Sequence, residues 1–174
     1  MAHLIARPDV SEYAPFYAGY VSQVPDGDVL DLLARQIDDT AALVGGLTEV
    51  QAAYRYAPGK WSIKEIVGHV ADAERVFSYR ALRIARNDQT PLPSFDENAW
   101  MPFGNFEARP LADVLGELRA VRQSTLALYR SFTPEAIARR GVASQKEISV
   151  RAIIYITAGH ERHHVGVMRE RYLR

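Results

Sequence analysis

The residues best suited to chemistry in this sequence lie in a stretch of six near its carboxyl end, GHERHH at 159–164. His160, Glu161 and His164 stand there in the order H-E-x-x-H, which is the pattern of zinc proteases. On a helix, histidines four residues apart lie one turn apart on the same face, so both imidazoles can bind one divalent metal ion. The motif raises two questions: whether these histidines bind a metal, and whether that metal would serve proteolysis.

The protease interpretation lacks a third metal ligand. In one protease spacing that ligand follows the second histidine by six residues, after a glycine that turns the chain, but here the two positions hold Val167 and Glu170. Without a turn the helix continues, and Glu170 lies about 120° around the axis from His164. Glu161 points about 100° away from His160, which leaves a catalytic role for it unsupported. We conclude that the protease match is accidental.

The apolar face of the predicted last helix contains two of the histidines. At about 100° per residue, His160 and His164 fall near the centre of a hydrophobic stripe. The stripe is formed by Ile153, Ile156 and Val167. A single buried histidine is most often a hydrogen-bonded structural residue, but two unpaired imidazoles side by side on an apolar face are costly to desolvate. A shared divalent ion gives them a reason to be there, because it coordinates both neutral rings.

A third histidine, His69, belongs to the predicted second helix. It lies about 60° from the centre of that helix's apolar stripe and therefore faces the same interior. The stripe consists of Ile66, Val70, Ala73 and Phe77. A ligand from a facing helix completes an open site that leaves room for water or substrate. Asp72, Glu65 and His163 are candidates for contacts around the ligands, with His163 about 80° from the stripe centre of its own helix.

Two long segments outside the predicted helices are rich in aromatic residues. Segment 87–110 contains four prolines, and a loop of this length in a compact domain is usually functional or disordered. Its aromatic residues argue for order, so we expect Asp96, Glu97 and Trp100 to form a lid or a pocket wall. The N-terminal arm, 1–27, is predicted to be irregular. Its aromatic residues are expected to pack on the body of the protein, with a dimer contact or a pocket wall as alternatives.

Helical periodicity dominates the rest of the chain. Asp28 is the expected N-cap of the first helix, Ser62 and Glu65 form a capping box at the second, and Pro110 suits the first position of the third. The predicted spans are 29–44, 62–86, 110–132 and 149–172, with a short helix near 134–140. No strand is predicted. We therefore expect an all-α four-helix bundle that forms one domain over residues 1–174.

The overall composition narrows the classes of function. The 174 residues have a formal net charge of zero and a pI near 7.0, whereas nucleic-acid-binding proteins normally show a basic face or tail. No apolar run approaches the ~20 residues of a membrane span, and the amino-terminal residues do not resemble a secretory signal. We expect a cytoplasmic protein that binds neither nucleic acid nor membrane. Cysteine is absent, so any thiol chemistry must use a small-molecule thiol.

Two stretches together resemble the DinB-like (YfiT-type) superfamily of metal-binding four-helix-bundle proteins. They are KWSIKEIVGHVADAE at the start of the second helix and AGHERHHVGVMRERYL in the last one. The resemblance implies a metal triad of His69, His160 and His164, a nickel or zinc ion, a long crossover connection and a homodimer. Members with known activity are transferases and isomerases that use low-molecular-weight thiols such as bacillithiol or mycothiol. Many others are called metal-dependent hydrolases without a known substrate.

Three hypotheses remain open at this point. The first is a metal-dependent enzyme that activates water or a low-molecular-weight thiol, as an S-transferase or a hydrolase, toward a small-molecule substrate. The second is a non-catalytic binding or stress-response module that the metal stabilises. The third is a plain structural bundle whose histidines are satisfied by hydrogen bonds and hold no metal. The catalytic residues beyond the metal ligands are not identified by the sequence.

Overall fold

The computed structural model describes residues 4–173, and four long helices form its body. They are α1 (Val29–Val44), α2 (Ile63–Ala85), α3 (Leu111–Arg130) and α4 (Val150–Arg171). Shorter helical segments are Val10–Glu12, Pro15–Tyr17, Ala18–Val21, Glu49–Ala52, Glu97–Trp100, Met101–Phe103 and Pro134–Ala138. The predicted all-α four-helix architecture is confirmed. Within the described residues, no helix combines the length and the apolar character needed to cross a membrane.

Local side chains set the amino-terminal ends of α1 and α2 where the sequence predicted them. The carboxylate of Asp28 accepts a hydrogen bond from the backbone N–H of Leu30 at 2.8 Å. In the capping box of α2, Ser62 Oγ accepts from the Glu65 N–H at 3.2 Å, and Glu65 Oε2 accepts from the Ser62 N–H at 2.7 Å. Each cap satisfies backbone donors that a helix leaves unpaired.

The start of α3 differs slightly from the prediction. Pro110 was expected at the first helical position, but its extended backbone (φ −58°, ψ 143°) makes it the residue before the helix. Pro110 has no side-chain acceptor for the first turn, and the carboxylate of Glu49 accepts from the Leu111 N–H at 3.0 Å instead. Because this cap comes from a distant segment, the local sequence could not indicate it.

The four helices alternate around the bundle in the order α1, α3, α2, α4. Helix α2 packs against α3 and α4, and α1 packs against the same two helices. Helices α1 and α2 therefore lie diagonally across the bundle although they are consecutive in the chain. This arrangement places α2 directly beside α4, the two helices that carry the histidine motifs.

A short β-hairpin precedes α4, and the prediction that the chain contains no strand is wrong here. Strand β1 (Arg140–Ala143) pairs antiparallel with β2 (Lys146–Ser149). The turn residues Ser144 and Gln145 both have positive φ, +51° and +63°, as a two-residue hairpin turn of type I′ requires. Asn and Gly are the usual residues at such positions, so Ser-Gln gives little indication of the turn.

The hairpin also fixes the long segment 87–110 to the body of the protein. The Leu92 N–H donates to the carbonyl oxygen of Val142 at 2.9 Å, and the Ser144 N–H donates to the carbonyl oxygen of Leu92 at 3.0 Å. Phe106 from the same segment is buried against Gly68 of α2, where a Cβ would lie 2.4 Å from the Phe106 ring. The segment is therefore ordered, as its aromatic residues predicted.

The N-terminal arm lies across α4 rather than apart from the bundle. At Gly159 the two backbones are so close that a Cβ on that residue would lie 2.0 Å from the carbonyl oxygen of Tyr20. Tyr17 is buried, and the Tyr20 ring faces α4. The arm forms short helical turns where an irregular chain was predicted. Tyr13, Tyr17 and Tyr20 pack on the body as expected, whereas Phe16 is 63% exposed.

Candidate metal centre

The three histidines singled out in the sequence converge at the contact between α2 and α4. His160 Nε2 lies 3.1 Å from His69 Nε2 and 3.2 Å from His164 Nε2. One ring nitrogen from each residue falls within 4.8 Å of the other two. His69 and His160 are buried, and His164 is partly buried. The structure thus brings the three residues together, while their role as metal ligands stays a prediction.

The arrangement of these nitrogens suits a single divalent ion. Two nitrogens that each bind one ion at ~2.1 Å are about 3.0–3.4 Å apart when the angle between the bonds is between a right angle and the tetrahedral value. Two of the three separations, 3.1 and 3.2 Å, lie within that range, and the third is at most 4.8 Å. The donor set is chemically suitable too, because neutral imidazole is a preferred ligand of zinc, nickel and copper.

Burial favours the neutral form of all three imidazoles. It lowers the pKa of His69 from 6.5 to about 4. Burial, with smaller contributions from His69 and His163, lowers the pKa of His164 to about 3. The pKa of His160 is also held well below 6.5, first by burial and then by the neighbouring imidazoles. At neutral pH each ring therefore keeps an unprotonated nitrogen, which is the form that can coordinate a metal.

A cavity of about 320 Å³ opens onto His69 and His160. We call it the front cavity; its lining residues include Phe16, Tyr17, Tyr20, His69, Phe77, Arg80, Phe95, Glu97, Ser144 and His160. The rings of Tyr20 and Phe77 stand edge-on to the His160 ring, at centroid distances of 5.3 and 5.5 Å. Tyr20 belongs to the N-terminal arm, so the arm forms part of the wall of this cavity. A pocket wall was one of the two alternative roles considered for the arm, the other being a dimer contact.

Two further cavities lie on α4, and only one of them reaches a member of the triad. A space of about 260 Å³ is lined by His163 and His164 together with Trp61 and Tyr172. The largest of the three, about 490 Å³, opens beside Gln36 and is lined by none of the three histidines. Approach to the triad is thus open from the front cavity at His69 and His160, and from the smaller cavity at His164.

The residues of segment 87–110 proposed as a lid or wall have separate roles. Glu97 lines the front cavity, and with Trp100 it also borders a narrow cleft beside His69. Trp100 packs on Phe95 at a centroid distance of 5.1 Å. Asp96 instead caps the helix Glu97–Trp100, since its carboxylate accepts two backbone hydrogen bonds there. The wall interpretation holds for Glu97 and Trp100, and Asp96 is a structural cap.

The remaining candidates differ in how close they come to the triad. The carboxylate of Glu65 completes the capping box and also accepts a hydrogen bond from Arg55, which explains its position without the histidines. Asp72 borders the cleft beside His69, but its carboxylate pairs with Arg75 at 3.1 Å. His163 stacks edge-on against His164 at a centroid distance of 5.1 Å and lies outside the cluster.

Glu161, the glutamate of the H-E-x-x-H pattern, is held in a buried hydrogen-bond network away from the histidines. Its carboxylate accepts hydrogen bonds from Arg122 (2.8 Å), Gln36 (2.8 Å) and Thr40 (2.7 Å). Arg122 also binds the carboxylate of Glu74, at 2.8 and 2.7 Å. The sequence analysis missed this buried network. Its signal is a charged residue at core spacing, since Arg122 follows the buried Leu118 by four residues.

Several known proteins are similar to this chain in sequence. The chain matches the DinB superfamily over residues 32–168. A protein of Oceanobacillus iheyensis named "putative metal-dependent hydrolase" is 29% identical over 127 residues, which cover 71% of each chain. YfiT of Bacillus subtilis, which carries the same designation, is 23% identical over 128 residues, again 71% of each chain.

Two solved structures share the fold. The structure of Bacillus subtilis YfiT, described as a probable metal-dependent hydrolase with an unusual four-helix bundle topology, superposes with a TM-score of 0.75 at 20% identity and covers 92% of each chain. A mycothiol-dependent maleylpyruvate isomerase superposes with a TM-score of 0.67 at 11% identity, over 83% of this chain and 61% of that one. The sequence match includes both helices that carry the histidine triad, and it shows that this chain belongs to the DinB superfamily.

Proposed function

We propose that this protein is a metal-dependent enzyme in which His69, His160 and His164 hold a nickel or zinc ion. The observation that carries the proposal is the convergence of three neutral, largely buried imidazoles beside a cavity that a small molecule can enter. Three protein ligands leave further coordination positions for water or substrate, as catalytic sites require. The metal-dependent designation of the relatives supports the same interpretation.

The residues around the triad suit the activation of water or of a thiol. When bound, a divalent ion supplies Lewis acidity, which acidifies a water molecule or a thiol that reaches it. Tyr20 and Phe77 stand edge-on to His160 and give the front cavity an apolar wall beside it. Glu97 contributes a carboxylate to the wall of the front cavity, and a carboxylate there can receive the released proton.

A low-molecular-weight thiol is the nucleophile that we favour over water. The chain has no cysteine, so the sulfur must come from a cosubstrate. The fold is shared with an isomerase whose description names mycothiol, which adds support from a distant relative. We further propose a single-domain homodimer in the cytoplasm. Sedimentation equilibrium would test the dimer and cell fractionation the location.

Elemental analysis of untagged protein is the first test. We expect about one equivalent of nickel or zinc per chain in the parent protein and none in the His160→Ala/His164→Ala variant. His163→Ala is the matched control, because His163 lies on the same helix and next to the cluster but is not part of it. It should keep the metal.

The metal-loaded protein would then be assayed for conjugation of an electrophile with bacillithiol, mycothiol or glutathione. Turnover that is lost in the double variant and kept in His163→Ala supports the thiol-dependent enzyme. Stoichiometric metal without turnover, and with a large loss of stability on chelation, would favour the non-catalytic module. Absence of metal from all variants after incubation with nickel and zinc would overturn the proposal.

A further inference from the structure

A buried arginine, Arg80, lines the same front cavity as His69 and His160. It follows His69 by 11 residues on α2, which places it three turns later on nearly the same face of the helix. Its side chain is only 3% exposed. The cavity therefore has a metal-ligating region and a permanently charged guanidinium in one enclosure.

The surroundings of Arg80 leave its charge without a carboxylate partner. Its Nη2 donates to the carbonyl oxygen of Pro93 at 2.6 Å and to Ser144 Oγ at 3.0 Å, and its guanidinium lies over the Phe95 ring, 5.6 Å from the centroid. All three partners are neutral. Among residues 4–173, Arg80 is in no ion pair, and Glu97, which lines the same cavity, lies beyond 4.0 Å of its nitrogens. Arg122, the other deeply buried arginine on the bundle axis, instead binds two carboxylates.

Buried charges in proteins are normally paired, because desolvation of an isolated ion is costly. The unpaired charge of Arg80 therefore indicates that an anion enters from the cavity when a ligand binds. A planar guanidinium is well suited to this, since it binds carboxylates through two parallel hydrogen bonds.

We propose that Arg80 binds a carboxylate of the substrate, and that the substrate is a small monocarboxylate with an aromatic or other apolar body. This inference rests on the proposed function, because the same cavity would hold the substrate in both. The rings of Phe16, Tyr17, Phe77 and Phe95 line the cavity and suit the apolar body. A volume of about 320 Å³ limits the ligand to a small molecule.

The single guanidinium of Arg80 suits one carboxylate of a ligand, and the carboxylate of Glu97 in the same lining disfavours additional negative charge.

The test compares two probes of the same shape, benzoate and the neutral benzamide, by isothermal titration calorimetry of the purified protein at pH 7.5. The variant is Arg80→Met, which removes the charge and keeps much of the volume. Arg75→Met is the matched control, because Arg75 is on the same helix but pairs with Asp72 and Glu117 and does not line the front cavity. We expect Arg80→Met to weaken benzoate binding at least tenfold, about 1.4 kcal/mol, with benzamide binding unchanged.

Each other outcome contradicts the inference. Equal benzoate affinity in the parent and Arg80→Met, or no binding of benzoate to the parent, would show that Arg80 does not recognise carboxylates. Equal loss of both probes would show that Arg80 only supports the loops at Pro93 and Ser144. If Arg80→Met does not fold, Arg80→Gln replaces it, since an amide can still donate to the Pro93 carbonyl.

The same titrations in His160→Ala/His164→Ala separate this inference from the metal centre. If benzoate binding still depends on Arg80 in metal-free protein, the carboxylate site is supported. This holds even if elemental analysis finds no metal in the parent protein. Metal content that is normal in Arg80→Met, together with unchanged benzoate binding, supports the metal centre and overturns the carboxylate site.

Discussion

Glu12 and His160 are buried to nearly the same extent, 3% and 5% exposed. Glu12 is nevertheless ionised at neutral pH, whereas His160 is neutral. Glu12 accepts hydrogen bonds from Ser149 Oγ at 2.7 Å and from the guanidinium of Arg151. Burial alone would raise the pKa of the Glu12 carboxyl, but the hydrogen bonds from Arg151, Asp9 and Ser149 lower it below 4.5. His160 has no such compensation, so burial keeps it neutral and able to bind a metal.

The Glu12→Gln substitution should make the protein less stable at neutral pH and less sensitive to acid. Because the pKa of Glu12 is lower in the folded than in the unfolded chain, its ionised form stabilises the fold above pH 4.5, and this contribution is lost as the pH falls through the folded pKa. We expect a loss of about 1–3 kcal/mol at pH 7, measured by urea unfolding, and curves for the parent and the variant that approach each other as the pH falls through the folded pKa of Glu12.

The matched control for Glu12 is Glu147→Gln. Glu147 pairs with Arg140 on the exposed hairpin surface, where ion pairs contribute roughly 0–1 kcal/mol. Its loss should change stability little at any pH. Parallel pH profiles for Glu12→Gln and the parent would mean that Glu12 is not the source of the acid sensitivity.

At the scale of secondary-structure elements, the sequence predicts what is encoded locally. The caps at Asp28 and Ser62 and the apolar stripes of α2 and α4 are local, and they were enough to group His69 with His160 and His164. The hairpin was missed because its turn residues, Ser144 and Gln145, have positive φ but are not the Asn-Gly pair that usually marks such a turn in a sequence. Pairing between distant segments, such as Arg122 with Glu74, has no local signal of its own.

The position of the N-terminal arm depends on Gly159 of α4. A Cβ there would lie 2.0 Å from the backbone oxygen of Tyr20, and backbone cannot yield as a flexible side chain can. We expect Gly159→Ala to lower the free energy of unfolding by roughly 1–3 kcal/mol, as for other overpacked sites. It should also move Tyr20 away from His160 and expose the arm to limited proteolysis.

Gly166→Ala is the matched control for Gly159→Ala on the same helix. No atom lies within 4 Å of the position that its Cβ would occupy, so only the helical preference of alanine acts there. That preference should stabilise the protein by about 0.5–1 kcal/mol. If both variants were stabilised alike, the close approach of the arm at Gly159 would be contradicted.

At the scale of the whole molecule, a polar layer crosses the middle of the bundle. The buried apolar residues form two clusters, and on α2 the boundary between them falls after Ala71, close to His69 and Glu74. Arg122 of α3 lies in this layer and contacts the other three long helices, through Glu74 of α2, Glu161 of α4 and the carbonyl oxygen of Leu33 of α1 at 2.7 Å. The histidine triad and the ion network therefore share one level of the fold, on two sides of α4.

The ion network predicts a large effect for one substitution outside the histidine triad. In Arg122→Met, two buried carboxylates remain without their cation, and removal of one partner from a buried ion pair costs about 3–5 kcal/mol. Guanidinium chloride unfolding should show this loss. The control is Arg119→Met, on the same helix as Arg122, which breaks an exposed pair with Asp38 of α1 and should cost less than about 1 kcal/mol. Neutralising both carboxylates in Arg122→Met/Glu74→Gln/Glu161→Gln should recover part of the stability, because the penalty arises from unpaired charge. If the triple variant were no more stable than Arg122→Met, packing of the arginine and not its charge would hold the four helices together.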